Sequence, residues 1–122
     1  MKYENLNIEL IKRFPELADA AKKVFAWMQG EKPGPHIFYG DFLNPLLIEE
    51  LSTLNNPEFI DKIFEFLEEM ALSDDVEIQN VVIVTVLEQL GDDKNILNRA
   101  RTFMRGRTTQ FSHEIEKLWG RE

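Results

Sequence analysis

Proline, glycine and short polar clusters cut this chain so often that only short regular elements fit between the breaks. Pro15, the stretch from Gly30 to Pro35, Asn55-Asn56-Pro57, Ser73-Asp74-Asp75, Gly91-Asp92-Asp93 and Gly106 are the interruptions. No low-complexity linker lies among them, so residues 1–122 read as one domain. Between the breaks the apolar residues recur at spacings of three and four, the period of a helix packed on one side.

Residues 4–13 offer Leu6, Ile8, Leu10 and Ile11 for a short first helix. Residues 15–29 place Leu17, Ala20, Ala21, Val24, Phe25 and Met28 on one stripe, with Pro15 suited to the first turn and Gly30 to the stop. In 35–54, Pro45 blocks a continuous ideal helix. The expectation is a short helix or turn at 36–43, then a helix with Asn44 as N-cap and Pro45 at its first position. Residues 57–72 are the most amphipathic segment. Phe59, Ile60, Ile63, Phe64, Leu67, Met70 and Ala71 form a stripe opposite Glu58, Asp61, Glu65, Glu68 and Glu69.

The run Val81-Val82-Ile83-Val84-Thr85-Val86-Leu87 has high strand propensity. It nevertheless sits between helix signals, with Asp74 three positions before Glu77 as a capping-box start and Gly91 as a stop. A helix over 75–90, apolar nearly all round, belongs at the centre of a domain. Residues 94–105 and 108–119 predict two last helices broken near Gly106. The expected architecture is all-α: six or seven helices in a compact domain. The segments 57–72 and 75–90 form an antiparallel hairpin similar to those of HEAT-like repeats.

Composition removes whole classes of chemistry. The absence of cysteine excludes disulfides, thiolate metal sites, iron–sulfur clusters and a thiol nucleophile. The N-terminus lacks the apolar run of a secretory signal, and no segment reaches the roughly 18 apolar residues of a membrane span. The expected location is the cytoplasm. The net charge of −8 is distributed unevenly. Residues 1–48 are neutral, residues 49–93 carry thirteen acidic side chains against Lys62 alone, and residues 94–122 carry seven basic against three acidic. Nucleic acid is therefore not an expected ligand.

No catalytic constellation emerges, and the chain reads as a non-enzyme without cofactor. His113-Glu114 begins like a zinc-protease helix, but Lys117 stands where the second histidine belongs. Asp74 and Asp75 are not followed by calcium-loop spacing, so no metal is expected. Ser52, Ser73 and Ser112 lack the glycine context of a nucleophile elbow, and Gly30–Pro35 lacks the Gly-Lys-Ser/Thr ending of a phosphate loop. Glu68 and Glu69 serve acid–base chemistry only in a dry cleft; on an amphipathic helix they are usually a solvated face.

His36-Ile37-Phe38-Tyr39-Gly40-Asp41 admits two readings. In one, Tyr39 and Asp41 contact a partner. In the other, Ile37, Phe38 and Phe42 plug the core, Gly40 permits a close approach and Asp41 caps a helix. Arg99, Arg101, Arg105 and Arg107 form the one basic cluster, expected to pair with the acidic middle within the domain or across a homodimer.

The His36-to-Asp41 segment, with the block from Phe66-Leu67-Glu68-Glu69 to Leu87-Glu88-Gln89-Leu90, resembles a family of small bacterial helical proteins over about residues 35–91. That family carries a His-x-Phe-x-Gly-Asp segment and is similar to the immunity proteins of polymorphic toxins. Where its members commonly continue with a basic or polar residue, this chain has Phe42-Leu43-Asn44-Pro45. The resemblance implies a helical fold and neutralisation of a toxin. An acidic domain suits a basic toxin, because complementary charge speeds encounter.

The expected function is thus protein binding, with Asp61, Glu65, Glu68, Glu69, Asp74, Asp75 and Glu77 as the acidic docking surface beside Tyr39 and Asp41. A helical-repeat adaptor for an unknown partner, or an enzyme with a carboxylate site, are the alternatives.

Overall fold

A computed structural model describes residues 1–122 as seven helices, with no strand. Helix α1 is Leu6–Arg13, entered through a 3-10 turn at Tyr3–Asn5. Helix α2 covers residues 15–24, opening with a 3-10 turn at Pro15–Leu17, and a further such turn lies at Ala26–Met28. Helix α3 runs through residues 35–53, α4 is Pro57–Ala71, and α5 covers residues 76–90. Helix α6 is Lys94–Arg101 and α7 is Gly106–Leu118. Helices fill 77% of the chain, far above the roughly one-third typical of globular domains. No helix is long and apolar enough to cross a membrane.

Local chemistry sets most helix starts. The Asn56 side chain accepts the Phe59 N–H at 3.2 Å, with Pro57 at the first position of α4. Asp93 accepts from Asn95 and Ile96 and starts α6. Helix α5 is capped one residue later than the sequence spacing suggests. Asp75, not Asp74, accepts the Glu77 N–H at 2.9 Å, while the Ser73 hydroxyl accepts the Asp75 N–H.

Helix α3 corrects the expectation for residues 36–54. No N-cap stands at Asn44, whose backbone is helical (φ −61, ψ −49). The helix passes straight through Pro45 because the turn just before it, Tyr39–Leu43, is widened to π geometry. A wide turn removes the clash and missing hydrogen bond that proline imposes on an α-helix interior. Asp41 is consequently not a cap; it is an exposed residue of the wide turn. Asn44 is fully buried and donates to the Thr85 carbonyl at 2.9 Å and to Gln89 Oε1 at 2.6 Å.

Helix α5 answers the strand alternative. Val81–Leu87 is helical, again with π-widened turns. It lies at the centre, packed on α3, α4 and α7. The wide turns of α3 and α5 abut, and a Cβ on Gly40 would meet Thr85 Cγ2 at 3.3 Å, so glycine permits the approach. His36 Nδ1 and the Thr85 hydroxyl share a 2.5 Å hydrogen bond at the same seam.

Tyr39 is wholly buried, and its hydroxyl donates to the Leu6 carbonyl at 2.6 Å, fastening α3 to α1. Burial, with a smaller push from Glu9, drives its pKa far above the ordinary value. Tyr39 therefore cannot touch a partner and is a core residue, not a recognition residue. Phe38 and Phe42 plug the core as one reading had it, but Ile37 is exposed. Tyr39→Phe should cost about 0.5–1.5 kcal/mol in urea unfolding, because the Leu6 carbonyl loses its side-chain donor. A variant of unchanged stability would mean that this hydrogen bond contributes nothing.

The last two helices are shifted from expectation. The break falls at residues 102–105, and Gly106 is the first residue of α7 rather than part of the gap.

Candidate functional site

Helix α4 buries Ile60, Ile63, Phe64, Phe66, Leu67, Met70 and Ala71, so its solvent face is narrow. Phe66 lies outside the stripe read from the sequence. It is covered from the side by Phe14, edge-on at 6.4 Å, and by the Arg13 guanidinium 5.2 Å from its ring centre. The outer face is left to Glu58, Asp61, Lys62, Glu65 and Glu69, with Glu68 at its margin.

These carboxylates have different fates. Glu68 accepts the backbone N–H groups of Arg107 and Thr108, both at 2.9 Å, and the Thr108 hydroxyl at 3.0 Å. It caps the N-terminus of α7, where orphan N–H groups and the helix dipole favour an anion. Glu68 is thus structural and leaves the docking surface. Glu69 takes a two-pronged ion pair from Arg13 at 2.6 and 3.1 Å. The hydrogen bond from Arg13 holds its carboxyl below the ordinary carboxylate range, against the opposing effect of burial. Asp61 faces Arg105 at 3.3 and 3.4 Å. Asp75 is spent as the cap of α5. Glu58, Glu65, Asp74 and Glu77 are exposed and make no ion pair.

The arginine cluster is likewise consumed, only in part by the acidic middle. Arg105 pairs with Asp61. Arg99 donates to the Leu51 and Ser52 carbonyls at the end of α3, which closes with Leu54 in the left-handed region (φ 54). Arg101 bonds Glu122 and Ser112, and Arg107 lies over the Phe111 ring at 4.2 Å.

The exposed carboxylates of α4 lie on a ridge of Glu58, Asp61, Lys62 and Glu65, spaced three and four apart on one face, with Asp61 paired to Arg105. An open cleft flanks it on each side. The first, about 570 Å³, brings Arg13, Phe14 and Glu16 from the α1–α2 corner against Glu58, Phe59 and Glu65. The second, about 550 Å³, lies between the ridge and Thr102-Phe103. Sequence reasoning missed Glu58 as a site residue, although its spacing to Asp61 and Glu65 was available. It had no means to find Glu16 and Phe103, which arrive from other elements. Asp41 lies on α3, and Asp74 and Glu77 sit at the α4–α5 turn, so the expected docking residues do not form one patch.

A family described as a domain of unknown function (DUF7674) matches residues 8–120. The chain belongs to that family. No curated protein and no solved structure matches the chain. The DUF7674 match takes in every element from within α1 to the end of α7, so the ridge, its two clefts and the capping contacts all lie inside the family domain.

Chemically, the ridge offers carboxylates in water beside aromatic rims, flanked by cations at Arg13 and Lys62. Such a surface can receive lysine and arginine side chains, and the phenylalanine rings suit a guanidinium. No group of three histidine, aspartate or glutamate side chains is placed to hold a metal ion.

Proposed function

We propose that this chain is a protein-binding domain that docks a basic partner on the α4 ridge, with neutralisation of a basic bacterial toxin domain as its sharpest form. One observation carries the reading. Glu58 and Glu65 stand unpaired between two clefts, while Glu68, Glu69, Asp61 and Asp75 are occupied within the fold. A helix face built for solubility alone mixes its charges; here Lys62 is the one cation on the ridge. Partner cations in the clefts would meet carboxylates at the ridge and phenylalanine at the rim. This role belongs in the cytoplasm, where a toxin must be held inactive in the cell that makes it.

The test is Glu58→Lys with Glu65→Lys, measured against the product of the neighbouring gene. Both positions are exposed and unpaired, so the helical spectrum should match the parent, and the loss of stability should stay within about 1 kcal/mol, set by reversing the Glu58 charge in the first turn of α4. Binding should weaken by a slower on-rate, with a shallower salt dependence, and co-expression should no longer rescue growth. Unchanged binding at low salt would remove the ridge from the interface, and a harmless, non-binding gene product would remove the toxin reading.

A further inference from the structure

On the side of the molecule formed by α1 and α2 lies a third concavity, about 580 Å³ in volume, whose exposed floor is almost wholly apolar. Ile8, Ile11 and Phe38 make the floor. Lys12, Lys22 and Lys32 stand on the rim, and no carboxylate lines it. None of these lysines makes an ion pair elsewhere. An apolar floor ringed by unpaired cations fits an apolar side chain flanked by carboxylates.

The chain also carries complementary chemistry. The turn after α4 and the first residue of α5 expose two large apolar side chains, Leu72 at 64% and Val76 at 63%. Around them stand Asp74 and Glu77, exposed and unpaired, and no cation is paired with either. An apolar knob with acidic flanks therefore faces solvent on the same molecule as an apolar groove with a basic rim.

One copy cannot bring the two together. On α1, Ile8, Ile11 and Lys12 face the groove, whereas Glu9 and Arg13 face Glu69, Leu72 and Ser73. Those two faces are turned by roughly 130° around the helix axis, at 100° per residue. We propose that the Lys12–Lys22–Lys32 groove receives the Leu72–Val76 turn of a second copy, so that the chain self-associates head to tail. A contact between two different surfaces propagates as a ring or an open row unless its rotation closes on two copies. Its modest size puts it in the weak, transient class. The groove is open to solvent, which suits a turn that keeps one side wet better than a small ligand that must be mostly enclosed.

Sedimentation velocity of the full chain tests this. The parent should associate with rising concentration at low salt, and screening should weaken the association by at least about tenfold at high salt. Lys12→Glu with Lys22→Glu destroys the groove rim. Leu72→Ser with Asp74→Lys destroys the knob and leaves the Asp75 cap intact. Each variant alone should be monomeric with a parental helical spectrum, and an equimolar mixture should associate again, because it still holds one intact groove and one intact knob. Should a double variant fail to fold, Lys22→Glu and Leu72→Ser alone take their places, with the same outcomes expected. Glu58→Lys with Glu65→Lys should leave self-association unchanged, which separates this contact from the ridge. A parent that stays monomeric at every concentration, variants that associate like the parent, or a mixture that stays monomeric would each overturn the proposal. A monomeric parent that binds phosphatidylglycerol vesicles through the lysines would give the groove to a lipid surface instead.

Discussion

Replacing Gly91 by alanine is expected to cost about 2–4 kcal/mol, because the added methyl would displace a buried, paired carboxylate. Gly91 has an ordinary helical backbone, so the demand is for space and not for a left-handed conformation. A Cβ there would collide with Glu116 Oε2 and lie 2.5 Å from Arg121 Nη2. The Glu116 side chain is only 2% exposed, and Arg121 clamps both of its oxygens at 2.6 and 3.1 Å. Arg121 also reaches Asp92 at 2.8 Å and the Glu88 carbonyl at 3.1 Å, tying the residues after α7 to the turn between α5 and α6. The carboxylate cannot swing away from the methyl without giving up this arginine while it is still buried. Chemical denaturation should show the loss as a lower midpoint with an unchanged slope. The mechanism has its own check. In a Glu116→Ala background the buried carboxylate is gone and the part-exposed Arg121 is released from it, so Gly91→Ala should cost less, a coupling that a double-mutant cycle reads directly. Gly91→Ala within about 0.5 kcal/mol of the parent, the range of ordinary surface changes, would contradict the packing described.

The helices were legible wherever the signal was local. Pro57 behind Asn56 acts through the backbone of its own turn and starts α4; α5 does end at Gly91, but the right-handed backbone there means that the glycine serves space and not the stop. Pro45 was misread for the same reason. Its neighbours alone argue for a break, and the helix continues because α5 packs on the wide turn that absorbs the proline. Asn44 has the composition of a cap, but two acceptors on α5 supply a better use for its amide in the core.

The acidic surface was legible as composition and not as geometry. Glu65 and Glu68 look equivalent in sequence, yet one is free and the other is bound to the start of α7 by three hydrogen bonds from residues about forty positions later. The sequence reading also let any of the four arginines answer the acids. Only Arg105 does so with its side chain, because Arg99 is drawn to the open carbonyls at the end of α3 and Arg101 to Glu122. Charge counts locate a candidate region; only the fold says which charges are still available to a partner.

Helix α5 gives the second large effect, and one that tests its period. Leu87 is 1% exposed at the domain centre, so Leu87→Ala should cost about 2–5 kcal/mol through lost burial and the cavity left behind. A buried strand through Val81–Leu87 would also make Leu87 costly, so this variant alone does not separate the two. Its neighbours do. In the helix Val82 and Val86 are buried, one turn apart, while Val84 between them is 45% exposed. In a strand all three would share one face. Val82→Ala and Val86→Ala should therefore each cost at least about 1 kcal/mol, approaching the figure for large-to-small core changes. Val84→Ala should fall within about 0.5 kcal/mol of the parent, or stabilise slightly, because alanine has the higher helix propensity. Equal losses at 82, 84 and 86 would restore the strand that the β-branched composition suggests. A loss below about 1 kcal/mol at Leu87 would move α5 from the centre of the fold to its edge.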